Sequence, residues 1–328
     1  MAEYIGIKGA TIQSLASDPS PLIEGQIWYN TTSTVLKGTD NAGPGTWASG
    51  TGPSTPKYAV GSAGIETAGL QFGGFRDDTT AIGLQTETYN GTAWTEVGDL
   101  TTGGSYGMGC GTQTAAFYAG ASSPLTSALA QTWNGSSWTA GPAFITKRYG
   151  GGGGGITTSA VYTGGWKAPG YSTDSETWNG TSWTEGNNSN TGRSMVASSG
   201  SSDSDAMISG GYTPATTSVE TYDGTSWTVA TVLPTAMKEG GGMGTGNTAA
   251  IVFGGDNAAT PLLSKTHTWN GSAWTEVGNL GTARQSINQG GNTGGTGALS
   301  LGGAPAPVGG LLCEEYSGGL QAVTFTAT

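Results

Sequence analysis

Five of the eleven basic residues in this chain stand at the same place relative to a tryptophan. Each lies ten or eleven residues after a Trp: Lys57, Arg148, Arg193, Lys238 and Arg284, with Gly104 at the equivalent place in one further unit. A cation repeated in this way indicates one of two chemistries. Side chains that share one opening would bind an anionic group, whereas side chains that each meet a carboxylate would form buried ion pairs.

A second repeated position is mostly acidic, and it favours pairing. Its occupants are Glu87, Gln131, Glu176, Glu220, His267 and Glu314. The unit that lacks the base, at Gly104, also lacks the acid, as expected when half of a buried pair is costly to delete. The unit with Lys238 and His267 does not follow this rule. Anion binding stays open as the alternative, and we predict three ion pairs: Arg148–Glu176, Arg193–Glu220 and Arg284–Glu314.

The remaining residue types argue against catalysis. The chain has one His, His267, and two Cys, Cys110 and Cys313. One imidazole cannot supply the ligand set of a copper oxidase. Any hydrolytic triad would have to use this same His, because the chain has no other. Two thiols without a His cluster make no zinc site, and we expect both to be small buried side chains. We therefore expect no catalytic residue, no metal, no cofactor and no enzyme activity.

Charge and hydropathy exclude two classes of partner. The net charge of −11 argues against nucleic acid, because the usual basic footprint is missing. No stretch approaches the roughly 20 apolar residues of a membrane span. Residues 1–8 lack the charged and apolar blocks of a signal peptide. We expect no membrane insertion, and synthesis and assembly in a cytoplasm.

The elements that position these residues follow from a phrase that occurs five times. One copy reads Glu176-Thr-Trp-Asn-Gly-Thr-Ser-Trp183, and successive copies are 44, 45, 44 and 47 residues apart. A period of about 40–50 residues with strand-like segments is typical of a β-propeller. Asn-Gly predicts a tight hairpin turn formed by residues with positive φ. The Trp that ends each copy is predicted to be buried between units: Trp94, Trp138, Trp183, Trp227 and Trp274.

A second phrase, an apolar strand ending in two small residues, occurs six times. Examples are Leu70-Gln-Phe-Gly-Gly74 and Ile251-Val-Phe-Gly-Gly255, each after a Gly-rich stretch. Each unit thus contains four strands, and small residues in the first suit strands that converge on an axis. The predicted fold is all-β, a six-bladed propeller of four-stranded antiparallel blades over residues 51–328.

Residues 1–50 lie outside the period and are predicted to form a short N-terminal attachment arm. The sixth unit has no Trp after Cys313-Glu-Glu-Tyr316, whereas Trp47 precedes the first unit. Closure of the ring can use the C-terminal hairpin alone or take the Trp47 strand, and we expect the hairpin. The arm has too few apolar residues for a core of its own. We expect these residues to contact a partner protein or the propeller flank: Tyr4, Ile5, Ile7, Ile12, Ile27, Trp28 and Tyr29.

The order Gly-Gly, then Tyr or Trp with Asn/Asp-Gly, then Trp-Thr resembles the kelch repeat over about residues 57–326. Kelch repeats imply a propeller but no particular function. Residues 1–50 are more informative about function. Asp18-Pro-Ser-Pro21, Gly25-Gln-Ile-Trp-Tyr-Asn30 and Gly45-Thr-Trp-Ala-Ser-Gly50 resemble the start of kelch-like structural proteins of marine tailed bacteriophages. This resemblance implies a virion component of the tail or its fibres.

From the resemblance we expect a non-enzymatic virion structural protein, docked through residues 1–50 to other virion proteins, those of the tail or fibre first. Two alternatives stay open: an adhesin that binds a host receptor or surface glycan through Trp, Tyr and Asn side chains on loops, and a capsid decoration protein. The longer inserts all join the second strand of a unit to the third. They therefore gather on one face, which is the default partner or ligand surface.

Overall fold

The computed structural model describes residues 12–17, 27–41, 45–76, 78, 81–122, 127–212, 214–257, 259–287, 297–304, 311–318 and 320–324. Within these residues the regular elements are β-strands and no α-helix occurs, so the predicted all-β class is confirmed. The chain divides into two compact units, Met1–Gly45 with Gly318–Thr328 and Thr46–Ser317. We call them the small unit and the large unit.

The small unit contains one four-stranded sheet. Its strands, in order across the sheet, are β1 (Gln13–Leu15), β2 (Ile27–Asn30), β3 (Val35–Asn41) and β31 (Leu320–Thr324). The first two strands are parallel, and the other two neighbouring pairs are antiparallel. The predicted arm boundary at residue 50 therefore differs from the observed division, because the C-terminal strand belongs with the head of the chain.

The large unit contains five four-stranded antiparallel sheets, each built from consecutive parts of the chain. Sheet 1 consists of β6 (Gly61–Ile65), β7 (Ala68–Phe72), β9 (Thr86–Tyr89) and β10 (Trp94–Glu96). Sheet 2 consists of β11 (Met108–Gly111), β12 (Ala116–Ala121), β13 (Ser127–Trp133) and β14 (Trp138–Ala140). Sheet 3 consists of β15 (Gly152–Ile156), β16 (Ser159–Thr163), β19 (Ser175–Trp178), β20 (Trp183–Glu185). Sheet 4 consists of β21 (Ala197–Ser202), β22 (Asp205–Ser209), β23 (Val219–Tyr222) and β24 (Trp227–Val229). Sheet 5 consists of β25 (Gly241–Gly244), β26 (Ala250–Phe253), β27 (Thr266–Trp269) and β28 (Trp274–Glu276).

Sheet 6 closes in a way that the sequence analysis did not favour. It consists of β29 (Gly297–Leu301), β30 (Cys313–Ser317) and β4 (Thr46–Ser49), in that order. Trp47 lies opposite Tyr316 and packs on it at 5.3 Å and on Phe253 at 4.9 Å between ring centroids. The expected C-terminal hairpin is wrong, because no Trp follows β30 to fill this place and β31 pairs with β3 instead.

Two short ribbons lie beside these sheets. One pairs β5 (Lys57–Tyr58) with β8 (Phe75–Arg76), and the other pairs β17 (Trp166–Lys167) with β18 (Gly170–Tyr171). The second ribbon belongs to the insert between the second and third strands of sheet 3. It places Trp166 directly opposite Tyr171, so both side chains leave the ribbon on one face.

The apolar core of the large unit lies between sheets. Six buried clusters each join two successive sheets, for example Phe72 of sheet 1 with Tyr118 and Trp138 of sheet 2. The corresponding clusters join sheets 2 and 3, 3 and 4, 4 and 5, and 5 and 6. The last cluster joins Leu299 and Leu301 of sheet 6 to Tyr89 of sheet 1, so the series returns to its start.

The Asn-Gly turns form by a mechanism other than the predicted one. Only the glycine has a positive φ, as at Gly91 with +89°, and four residues separate β9 from β10. The Asn90 Oδ1 atom instead accepts hydrogen bonds from the backbone N–H groups of Thr92 and Ala93 at 3.0 and 2.9 Å. Asn134, Asn179, Asp223 and Asn270 do the same. These side chains therefore serve the turn.

Candidate functional site

Four buried ion pairs occupy equivalent places in sheets 1, 3, 4 and 6. The basic side chains are fully buried, and the paired atoms are 2.6 to 3.3 Å apart. The pairs are Lys57–Glu87, Arg148–Glu176, Arg193–Glu220 and Arg284–Glu314. The structure thus brings together all six residues of the three predicted pairs. Burial lowers the pKa of Arg193 and Arg284, and the paired carboxylates oppose that shift.

Each carboxylate also fixes the loop that enters its own sheet. Glu176 accepts hydrogen bonds from the N–H groups of Ile145 and Thr146 at 2.6 and 3.1 Å. Arg148 donates to the carbonyl oxygens of Thr146 and Tyr162 at 3.0 and 3.1 Å, and its guanidinium lies 4.9 Å from the Tyr162 ring centroid. Both terminal nitrogens of Arg148 are thus bound inside the protein, and only its buried Nε has no partner among the described residues. Because the side chain is fully buried, this cation is not available to an external anion.

In sheet 2 a neutral side chain binds the backbone of the loop that enters the sheet. Gln131 accepts from the N–H groups of Thr101 and Thr102 at 2.8 and 3.3 Å and donates to the Thr102 carbonyl at 2.8 Å. A basic side chain has no room there, because a Cβ on Gly104 would lie 2.5 Å from the Ala121 Cβ. One amide therefore performs both halves of the task that an Arg–Glu pair performs elsewhere.

Sheet 5 is the exception. His267 is 1% exposed, and neither ring nitrogen has a hydrogen-bond partner among the described residues. Burial lowers the pKa of this imidazole; Glu276 opposes the shift and Lys265 adds to it. Lys238 does not pair with His267. Its Nζ lies 2.9 Å from Asp256 Oδ1 and 3.3 Å from Glu239 Oε1. Burial works against the charge on Lys238, but these two carboxylates outweigh it and raise the Lys238 pKa.

The repeated tryptophans fall into two alternating classes. In sheets 2, 4 and 6 the indole N–H donates to a side-chain hydroxyl of the preceding sheet, at 2.8, 3.1 and 2.9 Å: Trp138 to Thr86, Trp227 to Ser175, and Trp47 to Thr266. In sheets 1, 3 and 5 it donates to a loop carbonyl, at 2.8, 3.2 and 2.9 Å: Trp94 to Thr51, Trp183 to Pro142, and Trp274 to Thr231.

The tryptophans also differ in burial, and the difference does not follow the two classes. Trp138, Trp183 and Trp227 are 5%, 8% and 5% exposed, but Trp47, Trp94 and Trp274 are only partly buried. Trp94 and Trp274, which donate to loop carbonyls, are therefore less buried than predicted. Trp183 also reaches a carbonyl, yet it stays buried because Phe117 and Phe144 pack on it, with ring centroids 5.6 and 5.8 Å away.

A cycle of backbone hydrogen bonds links the segments that enter the six sheets. Six residues with φ between +52° and +67° take part: Ala59, Tyr106, Gly150, Met195, Glu239 and Ser286. Tyr106 donates to Ala59, Gly150 to Tyr106, Met195 to Gly150, Glu239 to Met195, Ile287 to Glu239, and Ala59 to Ser286, at 2.6 to 3.4 Å. The cycle returns to its origin after six steps. Five of the six residues with positive φ are not glycine, although this region of φ is costly for them.

Four of the seven predicted anchor residues lie in the described part of the small unit. Trp28 is fully buried, Ile27 is partly buried, and Ile12 and Tyr29 are 45% and 38% exposed. Tyr4, Ile5 and Ile7 lie outside the described residues. Trp28 therefore contributes to the sheet of the small unit, whereas Ile12 and Tyr29 present apolar surface.

An aromatic pocket lies beside the hydrogen-bond cycle. Four rings line it, from Tyr149, Trp166, Tyr171 and Tyr212, together with Ser194, Met195, Lys238 and Glu239. Tyr149 and Trp166 have ring centroids 5.7 Å apart, and Tyr171 and Tyr212 meet edge to face at 5.8 Å. None of these four rings was predicted from the sequence as part of a site. The signal was present, since two of them, Trp166 and Tyr171, lie in a long insert between the second and third strands.

In the described part of the chain, potential metal ligands are not grouped and both thiols are buried. No group of three His, Cys, Asp or Glu side chains there is placed to hold a metal ion. Both thiols are buried and unpaired, and burial raises the pKa of Cys110 and of Cys313 to about 12, which disfavours the reactive thiolate. Among the described residues no helix is long and apolar enough to cross a membrane.

Comparison of the chain with known protein families and with curated proteins gives no match.

Proposed function

We propose that the large unit is a six-bladed β-propeller and that the protein is a non-enzymatic structural component of a tailed-bacteriophage virion. One observation carries the architectural part: the backbone hydrogen-bond cycle visits six sheets and returns to its first member. The six inter-sheet clusters support it, since they also run from sheet 1 to sheet 6 and back. Sheet 6 has three strands, and β4 is its outermost strand.

A structural role suits the way in which this unit uses its polar groups. The buried cations bind carboxylates and carbonyls of the protein itself, and Gln131 replaces one pair without charge. Such side chains rigidify the loops between sheets rather than meet a substrate. A rigid module of this kind is expected of a scaffold or display protein.

The virion assignment rests on the resemblance of residues 18–30 and 45–50 to kelch-like phage structural proteins. The small unit supports an attachment role for this segment. It gathers the head of the chain and the C-terminal strand into one sheet, and it exposes Ile12 and Tyr29. We propose that this unit docks to other virion proteins, those of the tail or fibre first, and that the protein is made in the host cytoplasm and resides in the virion.

The proposal is tested on purified phage particles. Mass spectrometry of washed virions is expected to detect the tryptic peptide 149–167, and cryo-electron microscopy is expected to show a six-lobed disc on the tail or its fibres. A disc on the head would instead support a capsid decoration protein. Recovery of the peptide only from the lysate supernatant would overturn the virion assignment.

Two truncated proteins separate docking from folding. A protein of residues 46–317 keeps β4, whereas a protein of residues 51–317 loses Trp47. We expect both to be missing from particles, and only the second to unfold at a clearly lower temperature. Incorporation of the 46–317 protein at the normal copy number would show that the large unit carries the docking contact.

A specific observation favours one second candidate, the glycan-binding adhesin. The aromatic pocket groups exposed and partly buried rings with polar side chains.

A further inference from the structure

We propose that the aromatic pocket of the large unit binds a neutral saccharide. The proposal goes beyond the structural role and does not depend on it, because the pocket lies wholly in the large unit. Its volume is about 300 Å³, at the lower end of the range for small-molecule sites. A pocket of this size suits a mono- or disaccharide rather than a polypeptide segment.

The rings offer the faces that a sugar ring requires. Tyr171 and Tyr212 are 37% and 41% exposed, and Tyr149 and Trp166 are partly exposed. Aromatic faces carry negative charge density, and Tyr and Trp combine such a face with a polar group. The axial C–H bonds of a pyranose are weakly positive, so they stack on these faces. A soluble protein rarely leaves several large rings together at its surface without such a use.

The polar groups around the rings match hydroxyls. Lys238 and Glu239 stand at the edge of the pocket, and Lys238 Nζ lies 5.4 Å from the centroid of the Tyr212 ring. A fixed ammonium–carboxylate pair presents donors and acceptors side by side, as adjacent sugar hydroxyls do. Ser194 lines the same pocket, although its side chain is 2% exposed.

The local charge argues for a neutral ligand. Among the described residues Lys238 is the one cation that lines the pocket, and it is already held by the carboxylates of Glu239 and Asp256. A sialic acid or a phosphate would meet the Glu239 carboxylate and an ammonium that is already engaged. A nucleic-acid base would stack on the same rings, but its phosphates would be repelled by a chain of net charge −11.

The backbone holds the site in place before any ligand arrives. Trp166 and Tyr149 exchange two backbone hydrogen bonds at 2.7 and 3.2 Å, and Tyr212 and Ser194 exchange two at 2.6 and 3.3 Å. Tyr171 lies opposite Trp166 in the β17–β18 ribbon. Rings held in this way lose little freedom on binding, which favours a weak ligand such as a sugar.

Saturation-transfer NMR on the full-length protein tests the proposal. The probes are glucose, galactose, mannose, N-acetylglucosamine and lactose at millimolar concentration, with N-acetylneuraminic acid as the charged comparison. We expect transfer to at least one neutral sugar, strongest at its axial protons, and weaker transfer to the acid. No transfer to any neutral probe, or preferential binding of N-acetylneuraminic acid, would overturn the proposal.

Variants then locate the site. Tyr212→Ala and Trp166→Ala are each expected to weaken the affinity for that sugar at least tenfold, whereas Tyr212→Phe, which keeps the ring, changes it less than threefold. Tyr29→Ala is the matched control, because Tyr29 is 38% exposed and lies in the small unit. A melting temperature within the range of the wild type shows that each variant is folded. Undiminished binding in folded Tyr212→Ala and Trp166→Ala proteins would place the sugar elsewhere and refute the assignment.

Discussion

Sheets 2 and 5 both lack the buried cation–carboxylate pair, and they replace it with different success. In sheet 2, Gln131 binds the loop N–H groups and the loop carbonyl with its own amide. In sheet 5, His267 fills the same place, but neither ring nitrogen finds a partner among the described residues. The lysine of sheet 5 has turned away to Glu239 and Asp256.

The difference teaches what this position requires. It must satisfy the polar backbone of an entering loop, and charge is only one way to do so. A carboxylate alone would be an unpaired buried charge, which explains why an Arg or Lys accompanies it in four sheets. A carboxamide carries a donor and an acceptor together and needs no companion. The comparison therefore predicts an order of sensitivity among the sheets.

The largest effect is expected in sheet 3. Glu176→Ala leaves Arg148 buried without a counter-ion and removes the acceptor of two loop N–H groups. The free energy of unfolding should fall by about 3–5 kcal/mol, measured by urea denaturation. Glu185→Ala is the control, because Glu185 lies opposite Glu176 on β20 but is exposed. Equal losses in the two variants would contradict the role assigned to the pair.

A smaller effect is expected in sheet 2. Gln131→Ala frees the same kind of loop groups without stranding a charge, so we expect a loss of about 1–3 kcal/mol. Thr139→Ala on the neighbouring strand, at an exposed position, should change stability little. If Gln131→Ala cost as much as Glu176→Ala, charge would not be the reason that the pairs are sensitive.

The alternation of the tryptophans predicts a third effect. Thr86→Val keeps the shape of the side chain but removes the acceptor of the Trp138 indole N–H. A single buried hydrogen bond of this kind is worth about 1 kcal/mol. Val219 holds the equivalent place in sheet 4, so Val219→Thr serves as the reciprocal variant and should add no stabilising bond. A stabilised Val219→Thr protein would show that the outward indole of Trp274 can switch class.

The last effect concerns pH and sheet 5. Because burial lowers the pKa of His267 in the folded protein, the unfolded chain takes up a proton first as the pH falls. Stability should therefore decline below about pH 6.5, by at most about 1.4 kcal/mol per pH unit. His267→Gln, which copies sheet 2, should reduce this decline between pH 7.5 and 5.5. Parallel pH curves for the two proteins would exclude His267 as the titrating group.

The repeats made the main strands and the charged positions predictable, because each feature recurs within one chain. Comparison of the six units reveals one repeated basic position and one repeated acidic position, and the Arg148–Glu176 pair occupies both. The alternation in the acceptors of the tryptophan indole N–H groups could also have been predicted from the sequence, but it was missed. The residue before the acidic position is a hydroxyl residue in sheets 1, 3 and 5 and apolar in sheets 2, 4 and 6: Thr86, Ser175 and Thr266 against Ala130, Val219 and Cys313.

Other features depend on contacts that no local pattern records. The Trp47 strand was recognised only as the alternative way to close the ring, because the pairing of β4 with β30, far along the chain, follows from no local pattern. The aromatic pocket combines Tyr149, Trp166 and Tyr212, which belong to different segments of the chain and meet only through backbone pairing. Its rings follow no repeat, so comparison between units did not reveal them.

The position of β4 has a consequence for biosynthesis. This strand leaves the ribosome before sheet 1, but its partner β30 follows sheet 5 in the chain. Sheet 6 therefore cannot form until the five other sheets have been synthesised, and Trp47 lacks its contacts with Tyr316 until then. A chain that stops before β30 keeps an unpaired strand edge, a hazard for aggregation. Sheet 6 is thus the last of the six sheets that can form during synthesis.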